Sequence, residues 1–195
     1  MSRESTTAPT DSGMARADTA MHVEMAHSLS ATLLEEVRRL RATVWRRSGV
    51  QVRTAQHRRY FADDHDEHAL HFIALDAGLV VAAARACLHE DPFEVPDATL
   101  FGRYLERVGS PVGSINRLVV DRPFRGRGLA RSLDAQRLAS LRMRGCRSVV
   151  CWWAKASGST RLAALMKLGF RPFEPGTSVA GPLGQAVPLW LALEA

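Results

Sequence analysis

"VVDRPFRGRGLARSL", residues 119–133, decides how the rest of the chain is read. Val119 and Val120 end an apolar run that reads as a strand. Asp121 and Pro123 turn the chain, Arg-Gly-Arg-Gly follows over 125–128, and a helical pattern starts at Leu129. Gly126 and Gly128 let the main chain approach a ligand closely. A helix starting behind them points free N–H groups and its positive dipole end at the same place. Residues 122–147 hold eight arginines and one acid, Asp134, a net charge of +7 against +6 for the whole chain. Together these features describe a pyrophosphate cradle; a solvated basic turn is the plainer reading of the same residues. A P-loop is excluded because no Gly-Lys-Ser/Thr follows. A dinucleotide fingerprint fails because Ala130 and Leu133 stand where its later glycines belong.

The bulk numbers fit one soluble domain. The chain has 195 residues, 46% apolar and 24% charged, enough for a substantial core and short for two. Lys155 and Lys167 are the sole lysines, so the basicity is almost all arginine, which suits bidentate recognition of phosphate and carboxylate. Cys87, Cys146 and Cys151 are odd in number and show no CxxC spacing, so neither a disulfide framework nor a zinc cluster is expected. They read as small apolar residues in a reducing compartment, the cytoplasm. No run approaches a membrane span. Residues 1–22 read as a disordered leader without a signal-peptide core, and 23–195 as the folded domain.

Outward from the opening stretch the chain reads as α/β. A helix is expected over 29–47, from Leu33, Leu34, Val37, Leu40 and Val44 at helical spacing. Residues 50–67 are polar and end in "DDHDE". "HALHFIALDAGLVVAAARACL" reads as a β-hairpin with Gly78 at positive φ. A short helical piece lies near 98–108, a strand over 114–120, a helix over 128–144 striped by Leu129, Leu133 and Met143, and a buried strand over 148–154. A helix capped by Ser157 or Ser159 ends at Gly169, and two strands follow near 170–174 and 186–193. The unit from 114 to 154 implies a parallel pair with a crossover helix.

Arg125, Gly128 and Ala130 match the signature Arg-x-x-Gly-x-Ala, placed after "RLVVD" and before a helix, a strand and a helix ending in "LMKLGFRPF". This resembles the GNAT acyltransferase superfamily, closely over 113–174 and loosely over 29–88. The resemblance implies a single domain with a mixed central sheet, splayed parallel strands and flanking helices. It implies acetyl-CoA or another acyl-CoA as cosubstrate, held by Arg125, Gly126, Arg127, Gly128, Leu129 and Ala130. Leu118, Val119 and Val120 would pair with the pantetheine arm and polarise the thioester carbonyl. An amine would attack the thioester directly. The tyrosine acid of many members is absent: Leu165 or Met166 stands there, and the chain's two tyrosines are Tyr60 and Tyr104. The usual asparagine at that helix start is replaced by Gly158. Ser157, Ser159, Thr160 or a water would stand in for the acid, or the thiolate leaves unaided.

The acidic segment, the hairpin and "INRLVVDRPFRG" are similar to a branch containing acyl-homoserine-lactone and N-acyl amino acid synthases, through Asp63, Asp66, Arg85 and Arg117. That branch uses an acyl carrier protein, and an arginine-rich 122–147 face would steer such an acidic partner. Arg117, flanked on its own strand face by Ile115 and Val119, needs a partner, for which Asp63 or Asp66 is the natural choice. It is either a structural ion pair or a clamp for a substrate carboxylate. Arg85 carries the same two readings. Asn116, Arg117, Asp66 and His71 are the catalytic candidates; Arg85, Trp152 and Trp153 are the substrate-binding candidates. His71 also reads as a satisfied core histidine. "DDHDEH" fits no metal-ligand spacing, so no metal is expected. The expected function is acetyl transfer to a primary amine of a small molecule or amino acid. A carrier-protein-dependent synthase and a silent acyl-CoA sensor are the alternatives. Nucleic-acid binding ranks last, since the basic face lacks interleaved aromatics.

Overall fold

The computed structural model describes residues 22–26, 29–47 and 62–193. But for His22, the expected leader lies outside them, as do 48–61 and with them Tyr60 and Gly49. Among the described residues, three α-helices flank one sheet: α1 (Ala31–Arg47), α2 (Leu129–Met143) and α3 (Ser159–Lys167). The sheet holds β1 (His22–Ala26), β2 (Leu70–Asp76), β3 (Leu79–His89), β4 (Val112–Val120), β5 (Ser148–Ala154), β6 (Arg171–Pro172), β7 (Val179–Gly181) and β8 (Gly184–Ala192). Its order is β1-β2-β3-β4-β5-β8-β6, with β7 paired to β8. β4 and β5 run parallel, and every other neighbouring pair is antiparallel. The expected α/β architecture with a mixed sheet is therefore the observed one.

The sheet is apolar on both faces because both are covered. Phe72, Ala74, Ala84 and Ile115 face α2 and α3 with Leu133, Leu141 and Leu165. Ile73, Ala83 and Val119 face α1 with Val37, Leu40 and Val44. Where α1 does not reach, the short 3-10 turns between 92 and 107 cover the same face, packing Leu100, Phe101 and Leu105 on Val112 and Val150. α2 comes so close to β4 that a Cβ at Gly113 would lie 2.6 Å from Leu141 Cδ1. The β2–β3 turn places both Ala77 and Gly78 at positive φ, 49° and 81°, as a two-residue hairpin turn demands.

Four expectations change. β1 at 22–26 and β7 at 179–181 are additional strands. Met143, expected in the α2 stripe, is 74% exposed; the buried positions there include Asp134, Arg137 and Ser140. α3 is entered through Gly158 at φ 76°, without a side-chain cap from Ser157 or Ser159. Lastly, Ile115 and Val119 sit on opposite faces of the sheet. The cause is a bulge: Ala83 pairs with Val119 and Arg85 with Asn116, so β4 has one residue more than β3. Arg117 takes the extra place at φ 56°.

Candidate active site

The β4–β5 ladder consists of Val112–Ser148, Gly113–Val149 and Ser114–Val150. Beyond it β4 stays with β3 to Val120, while β5 stays with β8 to Ala154. The two parallel strands diverge into a fork with Asn116–Val120 on one side and Trp152–Ala154 on the other. Backbone donors and acceptors at a strand edge are obligatory hydrogen-bonding groups. A fork of this kind takes an extended chain bearing its own amides.

The loop at the end of β4 is rigidly made. The Asp121 carboxylate accepts from Arg122 N at 2.8 Å, and Arg125 Nε donates to Val120 O at 3.1 Å. Gly126 and Gly128 lie at φ 79° and 81°, turning the chain into α2. The Arg127 guanidinium stacks over Phe124 at 5.1 Å. Beside the loop, Val44, Arg47, Asp121, Arg122 and Arg125 line a cleft of about 440 Å³. Arg122, Arg125, Arg127 and Arg131 are exposed at this end of α2. Arg142, in the last turn of α2, and Arg144 and Arg147, past it, lie about 20 Å away at the helical rise, and Arg144 Nη1 donates to Ser140 O at 3.2 Å. Arg137 is fully buried. The arginines of 122–147 therefore do not form one continuous face, and four of them stand exposed at the loop and first turn of α2.

On the α1 face the bulge lets two consecutive residues, Asn116 and Arg117, work side by side. Arg85 is the centre. Its Nε donates to Asn116 Oδ1 at 2.6 Å, Nη1 to Asp66 Oδ1 at 2.8 Å, and Nη2 to Asp63 Oδ2 at 3.1 Å. Its Nη1 also pairs with Asp63 Oδ1, and Arg117 Nη2 with Asp63 Oδ2. Arg41 Nη1 reaches both oxygens of Asp66 at 2.9 Å. Arg117 lies 5.5 Å over the Trp45 ring. A guanidinium only donates, so Asn116 must turn its amide oxygen to Arg85, which leaves the NH₂ end for a ligand. Asp63 and Asp66 were the expected partners of Arg85 and Arg117, and the structure brings all four together. Arg41 is an addition, readable from its place beside Leu40 and Val44 on the buried stripe.

The titrations follow from this packing. Burial works against a charged Asp63, but Arg85 and Arg117 outweigh it and hold the carboxyl well below the usual range. Asp66 is also driven down, by Arg41 and Arg85 against its own burial. Burial lowers His71, whose Nε2 stands 2.8 Å from Asp66 O. A neutral ring donating Nε2–H to that carbonyl satisfies both facts. Asp66 and His71 are each 2% exposed, beneath rather than on the surface of the network. Burial pushes the Cys146 and Cys151 thiols up to about 11 and about 12, and the Cys87 thiol also rises. All three are thus inert packing thiols.

Trp152 and Trp153 point to opposite faces, as neighbours in a strand must. Trp152 packs with the 92–107 segment and donates Nε1–H to Asp97 Oδ2 at 3.1 Å; Trp153 lies on the α2 side and donates to Gly158 O at 3.1 Å. At the positions where the resemblance places a tyrosine acid, Leu165 is buried and Met166 exposed. Tyr104 is engaged elsewhere, stacked on Phe173 and donating to Glu174 Oε2 at 2.9 Å. Among the described residues no cluster of metal-ligating side chains occurs, and no helix is long and apolar enough to cross a membrane. Sequence reasoning missed the Asp134–Arg137–Arg161 group behind the sheet. Its signal was two charges, at 134 and 137, within the apolar stripe of α2.

The site thus combines a strand fork, a glycine loop and helix start at its open end, and a buried polar network on one face. The chain matches the model of the Acetyltransferase (GNAT) family over residues 34–170 and belongs to that family. It is a GNAT-type acyltransferase, of a family that uses acyl-CoA. A search among curated proteins found no match. Solved structures share the fold. FeeM, an N-acyl amino acid synthase from uncultured soil microbes, superposes with a TM-score of 0.65 at 11% identity, covering 88% of this chain and 91% of its own. Escherichia coli ElaA gives 0.63 at 16%, covering 88% and 99%. A chain of the NatC complex bound to Gag peptide and CoA gives 0.62 at 16%, covering 89% and 100%.

Proposed function

We propose that this enzyme transfers an acetyl group from acetyl-CoA to a primary amine of a small molecule or amino acid. The observation that carries the reading is the fork. The β4–β5 ladder stops at Ser114 and Val150, and the αL glycines and the start of α2 stand at its open end. An acyl-CoA is an extended, amide-bearing arm ending in a pyrophosphate, so it matches both parts. Amides of the Arg125–Ala130 loop, with the exposed arginines and the cleft beside Arg47, would hold the phosphates. Leu118–Val120 would pair with the arm and polarise the acyl carbonyl. CoA supplies an activated acyl carbon; the rest is binding and orientation by this chain.

On the acceptor side, Asn116 would present its NH₂ to the incoming amine or a bridging water. Arg117 and Asp63, at the rim of the network, would orient the acceptor. Asp66 and His71 are too enclosed to touch it, so their part is to hold Arg85 and Arg41. Because Asp63 and Asp66 are driven strongly acidic, neither suits proton abstraction near neutral pH. The acceptor would react as its free base, and the proton its nitrogen sheds as the C–S bond breaks would pass through water to the leaving thiolate.

Thiol release from acetyl-CoA over a panel of amino acids, polyamines and short peptides tests the reading, with the rate rising with pH through the acceptor's own amine pKa. Absence of both CoA binding and thiol release overturns it. Four exposed arginines around the loop favour a second reading, an acidic acyl carrier protein as donor. Turnover with a long-chain acyl carrier protein but not with acetyl-CoA would select that one.

A further inference from the structure

The bulge of β4 is held from behind. Arg137, on α2, has no exposed surface, yet it lies among Leu133, Leu138 and Leu141. Its Nη1 donates to two backbone carbonyls, Arg85 O at 3.2 Å and Asn116 O at 3.1 Å. These belong to the residues that form the last β3–β4 pair before the ladder skips. Its Nη2 pairs with Asp134, which also accepts Arg161 of α3. An apolar side chain would suit this stripe, and replacing a buried ion pair by packed hydrophobes is commonly neutral or stabilising. A guanidinium here does what an apolar residue cannot: it satisfies carbonyls at the point where the strand is distorted.

We propose that Arg137 is a positioning residue for acyl transfer, clamping the β4 bulge so that Asn116 and Arg117 keep their places beside the fork. It stands on the helix whose N-terminus forms the donor cradle, so it also ties the donor end to the acceptor face. This rests on the acyltransferase reading above. Arg137→Met keeps the volume and leaves Asp134 paired with Arg161, so no buried charge is stranded. Arg137→Lys restores one donor without the fork geometry.

The experiment compares the full-length wild type, both variants and Arg161→Met. It measures CoA affinity by calorimetry, thiol release from acetyl-CoA with an accepted amine, and amide exchange resolved by residue. In Arg137→Met, kcat is expected to fall by about 10²-fold, the loss typical of a displacement near 1 Å, with CoA affinity nearly unchanged. Exchange should accelerate at 116–119 while the rest of α2 and β5 stays protected. Arg137→Lys should recover part of kcat, and Arg161→Met should leave exchange at 116–119 as in wild type. A folded Arg137→Met with wild-type kcat overturns the proposal, as does exchange accelerated uniformly through α2 and the sheet. If Arg137→Met does not fold, Arg137→Lys carries the same kcat and exchange comparison. If the wild type releases no thiol, the acyltransferase reading fails separately: local exchange at 116–119 then still supports the clamp, and its absence refutes it.

Discussion

Gly128 is the position at which strain, space and charge in the donor cradle separate. It lies at φ 81°, and a Cβ built there would meet nothing within 4 Å. Alanine therefore costs backbone strain alone, about 1–2 kcal/mol, lowering the melting temperature by about 2–8 °C. Asparagine visits this region more readily and costs less. Glutamate adds a negative charge where the proposed reading puts the phosphates. At about 8 Å and an effective dielectric of about 20, one like-charge pair costs about 2 kcal/mol, or about 30-fold in affinity. Calorimetric titration of acetyl-CoA into wild type and the three variants should rank wild type first, then asparagine and alanine together, with glutamate weakest. Raising the salt should narrow the glutamate deficit, because exposed charges are screened beyond about 8–10 Å. Wild-type affinity in both Gly128→Asn and Gly128→Glu would refute the placement of the phosphates at the start of α2. Equal large losses in both would refute the electrostatic half of the argument.

Gly113→Ala drives a Cβ to within 2.6 Å of Leu141 Cδ1. It should cost about 1–3 kcal/mol in denaturant unfolding, and Leu141→Val in the same chain should recover part of that. Asp66→Asn leaves Arg41 and Arg85 without their shared buried carboxylate and should cost about 3–5 kcal/mol; an unchanged midpoint would show that the network is not braced there. His89 is lowered from 6.5 to about 4 by burial and by the charges of His65 and Arg85. Between those values the unfolded chain binds a proton that the folded chain refuses, so stability rises with pH across that window. Its contribution is complete above pH 6.5 and is lost as the pH falls towards about 4, up to about 3 kcal/mol in all. Unfolding midpoints from pH 7 to 4 should show that slope, and His89→Asn should flatten it.

What the sequence made legible follows from local rules. The change from strand to helix at 119–133 needs only a change of hydrophobic period and two glycines. The pairing of Asp63 and Asp66 with Arg85 and Arg117 needs only the cost of burying a lone charge. The bulge at Arg117 depends on the register of β3 against β4, a long-range property that no window of β4 contains. Missing it put Ile115 and Val119 on one face and hid the adjacency of Asn116 and Arg117. Met143 belongs to the same class of error: hydrophobicity placed it inside, but it falls on the outer side of the last turn of α2. β1 is a five-residue strand that, among the described residues, pairs with β2 alone, too short for alternation to distinguish it from the polar sequence before it.

The arginine count misleads for a related reason. Summed along the chain it reads as surface charge awaiting an anion, but Arg41, Arg85 and Arg137 are among the largest fully buried side chains in the molecule. Arg85 and Arg137 brace β3 and α2 against one stretch of β4, and Arg41 ties α1 to the same network through Asp66. Lysine could not replace Arg85 or Arg137, since each uses a planar fork to hold several acceptors at once. Arg85 and Asn116 are where the two faces meet: their side chains belong to the Asp63–Asp66 network on the α1 side, while their carbonyls are held by Arg137 from the α2 side. On the proposed reading, the donor end of the fork is shaped by backbone and glycine, and the acceptor end by guanidiniums. A substitution in the loop should consequently act on acyl-CoA affinity, whereas one in the arginine braces should act on turnover. Measured together on the same acceptor, Gly128→Glu and Arg137→Met should therefore lose activity through different constants; a shared loss of affinity would mean that the bulge and the cradle are a single site.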